Sequence, residues 1–394
     1  MIREDEALAK ILAATEPLPS ADAMLADALG RFAAENLIAC VAQPAFDNSS
    51  MDGYAVIASS AIENARLKII GEHAAGIDRG LTVQPGEAVR IFTGAPLPLR
   101  ADAVVMQEDT ERANGVVTIR SAAASGEFIR RAGADLAVGQ KIVSAGDRIT
   151  ASTIGLLAAQ GIASLQIGGQ PTVGIVTTGD EVVPAGQKLK PGQIYESNGA
   201  MLAALARRAG AEVRAQKHCA DDFQKLCAVL DAQTTNSALI VSGGVSVGEH
   251  DHVRAALHEI GAELELWRVA IKPGKPFLFG RKGSCHIFGL PGNPVSSFVT
   301  FLVFVRAALL RLMGAGELRL PTTAIRLAGA IENTEERAHY LRGKIRDGAF
   351  AVAGRQESHA LFGLAGSNAL LRAESGARLP ANEVVDVVAL DALQ

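Results

Sequence analysis

The sequence predicts a multidomain α/β protein, and three observations carry that prediction. Between residues 171 and 315, short apolar runs alternate with helical patterns at the spacing of β-α-β units, which implies a mainly parallel sheet covered on both faces. On either side of this region, the apolar runs shorten into β-type segments divided by Gly, Pro and Asp clusters. The chain has 394 residues, more than one folding unit of about 150 residues accommodates. Four domains are expected: a helical/linker domain from 1–44 plus 135–170, a mostly β domain at 45–134 inserted within it, a central α/β domain at 171–315, and a small β-barrel-like domain at 316–394.

Taken in chain order, 4–15 and 20–36 read as amphipathic helices, the second with Ser20 and Asp22 as candidate caps. Short β runs follow at 88–92, 103–107 and 115–119, and a helix at 150–160. In the central region, strands are expected at 173–177, 211–218, 238–242, 264–271, 277–280 and 286–290. Helices are expected at 197–209, 221–232 and 251–260, the last with Asp251 as N-cap. Asn293-Pro294 then opens a long helix to 313, with Asn as cap and Pro in the first turn. The last region carries β segments at 324–327, 342–345, 349–352, 369–372 and 384–390, the pattern of a closed or nearly closed small β-domain.

Composition removes several function classes. Lys+Arg 38 against Asp+Glu 42 gives a net charge of −4, and aromatic residues make up 4%. A strongly basic nucleic-acid binder is excluded, and a base-stacking platform is not expected. The apolar stretch 298–312 is interrupted by Thr300 and Arg306, so no membrane span is expected. The charged start MIREDEALAK lacks the apolar core of a signal peptide. The cysteines, Cys40, Cys219, Cys227 and Cys285, form no CxxC pair and no disulfide framework, which points to a reducing cytoplasm. His250 and His252 form an HxH pair without further metal ligands nearby.

Ligands of open parallel sheets bind outside the carboxyl ends of the strands. Four turn-rich segments each follow an expected strand there: TTGDE (177–181), SGGVSVGEHD (242–251), IKPGKP (271–276) and GLPGNP (289–294). Parallel strands would bring all four to one edge. Gly243, Gly244 and Gly248 precede a helix and suit a phosphate, though a flexible turn has the same composition. Lys272 and Lys275 sit on a proline-bounded turn and suit an anion, though a solvated surface turn reads the same way. Asp180, Glu181, Asp251 and one of Asp221 or Asp222 supply carboxylates at the same edge. Next to a phosphate they would need a bridging cation such as Mg²⁺. Helix capping accounts for at least one of the Asp221-Asp222 pair. FDNSSMDGYAV (46–56) and IFTGAPLP (91–98), with Asp52 and Thr93, identify no reaction on their own.

Together these motifs resemble the molybdopterin molybdenumtransferases, the family that includes the C-terminal enzymatic domain of gephyrin. FDNSSMDGYAV, IFTGAPLP, ADAVVMQED, TTGDEVVPAG, IYESN, SGGVSVGEHD, IKPGKP and GLPGNPVSSF occur in the family's order along nearly the whole chain. The resemblance implies a central domain of the molybdopterin-binding type and a cytoplasmic homodimer. It implies an enzyme that inserts molybdenum from molybdate into the dithiolene of adenylylated molybdopterin, with Mg²⁺-dependent release of AMP. The molybdopterin adenylyltransferase is the implied protein partner. A tungsten-specific relative and a non-catalytic pterin carrier or scaffold are the alternatives.

By the same resemblance, Asp52, Glu181 and Asp251 are the expected catalytic carboxylates, and Glu181 and Asp251 the expected metal ligands. Asp52 and Thr93 would come from the partner subunit. Asp135, in RRAGADLAVGQ, matches a family acid, and Asp221 joins the substrate-binding set. Gly243, Gly244, Ser246 and Gly248 would line the nucleotide phosphates. Arg268, Lys272 and Lys275 would hold molybdate or phosphate, with Pro291 and Pro294 shaping the loop beside them. Arg342, in YLRGKI, and Ser358, in QESHALFG, match positions where the last domain reaches the cleft. Arg268 stands where the family often has lysine, replacing a point charge by a planar fork.

Overall fold

A computed structural model describes residues 1–244, 252–391 and 393. The chain forms two compact units, one of Met1–Glu35, Ala145–Gly155 and Ala163–Gln394, the other of Asn36–Ser144 and Leu156–Ile162.

The first unit is organised by a six-stranded sheet. Its elements in chain order are β1 (Thr172–Thr178), α1 (Asn198–Arg208), β2 (Glu212–Cys219), α2 (Phe223–Gln233), β3 (Ala238–Ser242), α3 (His252–Glu259), β4 (Glu263–Arg268), β5 (Pro276–Lys282) and β6 (Cys285–Leu290). The spatial order is β2-β1-β3-β6-β5-β4. The first four strands are mutually parallel, and β5 runs antiparallel to both β6 and β4. It follows that β4 points the same way as β6. The carboxyl ends of β1, β3, β4 and β6 therefore share one edge, as the sequence reading required. The chain leaves β1 in one direction to reach β2 and returns past it to β3, so the β1/β3 junction is the topological switch point.

The apolar strands explain themselves through burial on both faces. Along β3, Ala238 and Ile240 pack in one buried cluster with Ile11, Phe298 and Leu309, while Leu239 and Val241 pack in another with Leu226, Leu230 and Val253. The stretch Pro294–Leu312 is 19 residues long and apolar enough to span a membrane by composition, yet 89% of it is buried within the protein. It is a core helix, with a π-type segment at Phe301–Val305.

Downstream, β7 (Thr322–Leu327), β8 (Ala338–Arg346), β9 (Ala349–Val352), β10 (Ala369–Ala373) and β11 (Val384–Ala389) close into a ring, β8-β9-β7-β11-β10, by the pairing of β8 with β10. This five-stranded barrel meets the small β-domain expected at the C-terminus. The short strand Ile271–Lys272 adds to it in parallel, placing Lys272 opposite His339.

The second unit is built on a six-stranded mixed sheet. Gly53–Val56 lies one strand in from its edge, paired antiparallel to both Glu87–Ile91 and the edge strand Ala103–Met106. Gly53 admits no side chain, because a Cβ there would lie 2.0 Å from the Val105 carbonyl oxygen.

Three local expectations change. The 20–36 segment is not a helix: Ala21–Met24 pairs antiparallel with Ser164–Ile167, and only Leu25–Asp27 makes a short 3₁₀ turn. A long-range ladder overrides the apolar spacing, and Gly30 at φ +78° stops the run. Ser20 and Asp22 consequently cap nothing. The strand expected over 264–271 is divided, because Ile271–Lys272 leaves the sheet for the barrel. Asn293 precedes the long helix but makes no side-chain cap; its Nδ2 donates to Ser358 Oγ at 2.9 Å.

Of the Asp221-Asp222 pair, Asp222 is the helix cap: its Oδ1 accepts from Lys225 N at 3.0 Å. Asp222→Ala is expected to cost about 1 kcal/mol of stability, and Asp221→Ala less than about 0.5 kcal/mol. Urea unfolding of the two variants checks this, and equal losses would contradict the assignment.

Candidate functional site

At the carboxyl edge of the sheet the loops after β1, β2, β3 and β6 enclose a cavity of about 700 Å³. Thr177, Thr178, Gly179 and Glu181 come from the first loop, Asp221 from the second, Gly243 and Gly244 from the third, and Gly292, Asn293 and Pro294 from the fourth. His359 and Leu361 reach it from the C-terminal region. The cavity thus sits at the switch point.

At Gly179, Gly243 and Gly244 nothing larger fits. Gly243 has φ +97°, and a Cβ would lie 2.9 Å from both Thr178 O and Thr178 Oγ1. Gly244 has φ +61°, and a Cβ would lie 2.6 Å from Val253 Cγ2. At Gly179, a Cβ would strike the Glu181 carboxylate at 2.6 Å, so this glycine lets Glu181 fold back over its own loop. Asp180 is occupied structurally, its Oδ1 accepting from Asp221 N at 2.9 Å. Of the carboxylates expected here, Glu181 and Asp221 line the cavity. Ser246, Gly248 and Asp251, and His250 of the HxH pair, lie outside the described residues.

The cavity floor is a buried polar network. Asn198 Nδ2 donates to Ser242 Oγ at 2.9 Å and to Gly292 O at 2.7 Å. Ser242 Oγ lies 3.1 Å from Ser297 Oγ, and both hydroxyls reach the Pro291 carbonyl. Asn198 Oδ1 is buried without a protein partner. Sequence reasoning did not select Asn198, Ser242 or Ser297. Asn198 falls within the IYESN motif and Ser297 within GLPGNPVSSF, so the motifs carried a signal that spacing alone did not resolve.

A second cavity of about 620 Å³ adjoins the first through Asn293. It is lined by Lys272, Lys275, Arg337 and Arg355, with Pro291, Glu357 and Ser358. Four cations against one lining carboxylate give it walls that suit an oxyanion, although Glu335, outside the lining, lies within ion-pair distance of both Lys272 and Arg337. Lys272 Nζ donates to Glu335 Oε1 at 2.8 Å, and this bond holds the Glu335 carboxyl below its usual range. Arg337 and Arg355 were not foreseen, since they stand in mixed-charge segments without a turn signature. Gly274 at φ +121° packs its α-carbon where a Cβ would meet Thr300 Cγ2 at 2.7 Å, which keeps the lysine turn tight against the long helix.

Arg342 is placed differently from a residue that faces a ligand. It is 1% exposed and lines neither cavity. Its guanidinium donates to the carbonyls of Arg355, Glu357 and Ala360, so it holds the loop that presents Arg355, Ser358 and His359. Ser358 is brought to the second cavity, fixed by Asn293 and by its carbonyl accepting from Val295 N at 3.0 Å. Pro291 lines the second cavity and Pro294 the first. Arg268 is exposed at the end of β4 and lines neither.

In the second unit, Asp52 immediately precedes Gly53–Val56 and Thr93 follows the neighbouring antiparallel strand, so the register brings them together. Asp52 Oδ1 accepts from Thr93 N and from Thr93 Oγ1, both at 2.8 Å. These bonds, the N–H first, hold the Asp52 carboxyl below the ordinary carboxylate range. Asp135 is exposed on a turn whose backbone N–H donates to Gln43 O at 2.9 Å.

His339, opposite Lys272, has a buried Nε2 with no hydrogen-bond partner. Burial, followed by the charge of Lys272, pushes its pKa down to about 4. The unfolded imidazole titrates near 6.5, so the native state holds an advantage above that pH and loses it as pH falls towards 4. The expected loss over this window is on the order of 2–3 kcal/mol. His339→Leu should flatten that part of the pH–stability curve, measured as the melting temperature between pH 7 and pH 4. An unchanged curve would place the acid sensitivity elsewhere.

The arrangement corresponds to known proteins. Residues 2–161 match the MoeA N-terminal region (domains I and II), 174–311 a probable molybdopterin binding domain, and 324–390 the MoeA C-terminal region (domain IV). A molybdopterin molybdenumtransferase of Haemophilus influenzae is 38% identical over 327 residues, covering 82% of this chain and 80% of the relative. Molybdopterin molybdenumtransferase 2 of Mycobacterium tuberculosis is 38% identical over 360 residues, covering 88% and 89%. The crystal structure of the molybdopterin biosynthesis MoeA protein of Pyrococcus horikoshii superposes with a TM-score of 0.81 at 30% identity, over 99% of each chain. With these matches spanning most of its length, the chain belongs to the molybdopterin molybdenumtransferase family and is a transferase.

Proposed function

We propose that this enzyme inserts molybdenum from molybdate into the dithiolene of adenylylated molybdopterin and releases AMP. The observation that carries the reading is the pairing of two adjoining cavities of opposite chemistry. One is lined by glycine loops and the carboxylates Glu181 and Asp221, the other by Lys272, Lys275, Arg337 and Arg355. The first suits a nucleotide pyrophosphate approached by backbone N–H groups. The second suits a tetrahedral oxyanion bound by ammonium and guanidinium groups. Asn293 and Ser358 stand between them as neutral donors and acceptors.

Among the described residues no cluster of three or more metal-ligating side chains is present. Mg²⁺ needs only one or two carboxylates when substrate phosphates complete its shell. Glu181, free to fold over Gly179, and Asp221 are the described residues that would hold it, with Asp251 as the further expected ligand. When bound, Mg²⁺ would neutralise charge on the pyrophosphate. The protein's own groups do the rest: Gly243 and Gly244 give the phosphates close access to the backbone, and the Asn198–Ser242–Ser297 network fixes the loop that separates the two anions. The sulfurs that receive molybdenum belong to the pterin, and soft ligands of this kind suit the metal, so the chain needs no cysteine cluster.

The reading includes a homodimer in a cytoplasmic setting. The exposed Asp52–Thr93 pair, and Asp135 with it, would serve the site of a second copy. The molybdopterin adenylyltransferase would be the source of the substrate.

The test is AMP release from adenylylated molybdopterin, with omission of Mg²⁺ and of molybdate as controls. Release that depends on both, with molybdenum recovered on the pterin, is expected. Glu181→Ala should slow release about a hundredfold while retaining nucleotide binding. Lys275→Ala should raise the molybdate concentration needed for half-maximal rate. Tight nucleotide binding without AMP release would instead make the protein a carrier, and preferential turnover with tungstate would make it the tungsten-specific relative.

A further inference from the structure

A third cavity, of about 560 Å³, lies in the first unit apart from the two already described, and shares no lining residue with either. It forms where two glycines let backbones touch. Gly316 N donates to Gly146 O at 2.9 Å, and a Cβ on Gly146 would lie 2.7 Å from Gly316 N. This contact brings the 146–148 turn against the long helix and the 316–321 connection. Three arginines converge there: Arg148, Arg306 and Arg319.

Their charge is poorly compensated. Asp147 aside, no carboxylate among the described residues lies within ion-pair distance of any of the three. Arg148 donates one N–H to Gly30 O at 3.1 Å and stacks its guanidinium 4.6 Å from the Phe32 ring centre. Arg306 uses only Nη1, on the carbonyls of Leu318 and Arg319. Burial and then the charge of Arg148 push the Arg306 pKa down to about 10 against the opposing charge of Glu317, and burial followed by the charge of Arg208 lowers that of Arg148. Asp147 and Glu317 also line the cavity. Glu317 accepts from Arg319 N at 2.8 Å, so it serves the backbone of this turn. Three cations over two carboxylates leave the walls positive.

We infer that this cavity binds an oxyanion of the phosphate class, gripped by the guanidinium groups of Arg148, Arg306 and Arg319. Guanidinium forks match the oxygens of a tetrahedral oxyanion, and an anion would relieve the mutual repulsion of the arginines. The remaining wall is apolar, made by Phe32, Leu310, Leu320 and Pro321. That wall has room for the body of a phosphomonoester as well as for free phosphate.

The test is calorimetric titration of the full chain at constant ionic strength, in a Lys272→Ala/Lys275→Ala background that disables the lysine cavity. Inorganic phosphate is expected to bind this background and to raise its melting temperature. Arg319→Ala, whose side chain makes no hydrogen bond or ion pair among the described residues, should weaken binding about tenfold or more. Arg306→Lys keeps the charge but loses the fork, and should weaken it as well. Phenyl phosphate binding more tightly than inorganic phosphate would assign a phosphomonoester; equal affinity would assign free phosphate. Absence of phosphate binding in the lysine-free background, or binding indifferent to both arginine substitutions, overturns the site.

Discussion

Much of the functional edge hangs on one buried hydroxyl. Ser242 ends β3, is 2% exposed, and is met by Asn198 from the β1–β2 connection, by Ser297 from the long helix and by the Pro291 carbonyl from the loop after β6. Among the described residues, Ser242 Oγ has its partners only in these groups. Leaving it unpaired costs about 1–3 kcal/mol, more than a surface contact contributes. The network therefore sets the spacing of three loops at once, and that spacing determines where Gly243, Gly292 and Asn293 can stand. A chain with the same sheet but an apolar residue at 242 would keep its core and lose the registration of its site.

A second constraint acts from the barrel. Arg342 buries a guanidinium beneath the 355–360 loop and uses Nη1 and Nη2 on three carbonyls there, leaving Nε buried without a partner among the described residues. Burial lowers its pKa, opposed by the charge of Glu357, yet arginine remains charged, and the carbonyl cage meets that charge without an ion pair. The consequence is a rigid loop carrying Arg355, Ser358 and His359 into two different cavities. Meanwhile Ile271–Lys272 joins the barrel edge, so the lysine turn is clamped between the sheet it leaves and the barrel it enters. Barrel and sheet thus build the cationic cavity jointly, and neither would do so alone.

What could be read from the sequence follows from how local the determining physics is. The β-α-β alternation, the barrel segments and the convergence of four loops were legible, because parallel strands buried on both faces leave uninterrupted apolar runs and turns leave Gly and Pro. Asp222 was legible as one half of a capping pair, since an N-cap is decided within four residues. The 20–36 segment misled because its ladder partner, Ser164–Ile167, lies far away in sequence. The side-chain direction of Arg342 was likewise illegible: its motif marks its importance, but only the tertiary fold turns it towards carbonyls instead of a ligand. Arg337 and Arg355 have no local signature at all, and become visible only once the barrel closes.

The separation of charge between the adjoining cavities has a physical purpose under the proposed reaction. A pyrophosphate and an oxyanion must lie close enough to share one substrate, yet each unit pair of negative charges ~8 Å apart repels by about 2 kcal/mol at an effective dielectric near 20. Lysines and arginines around one anion would offset much of that cost, while a cation held by carboxylates would offset it around the other. Placing the carboxylates among the lysines would collapse them into ion pairs, as Lys272 with Glu335 already illustrates at one wall. The neutral Pro291–Gly292–Asn293 turn keeps the two sets apart, and the Ser242 network holds that turn in place. The buried hydroxyl and the charge segregation are in this sense one device, in which an uncharged network keeps two opposite electrostatic environments in contact without letting them neutralise each other.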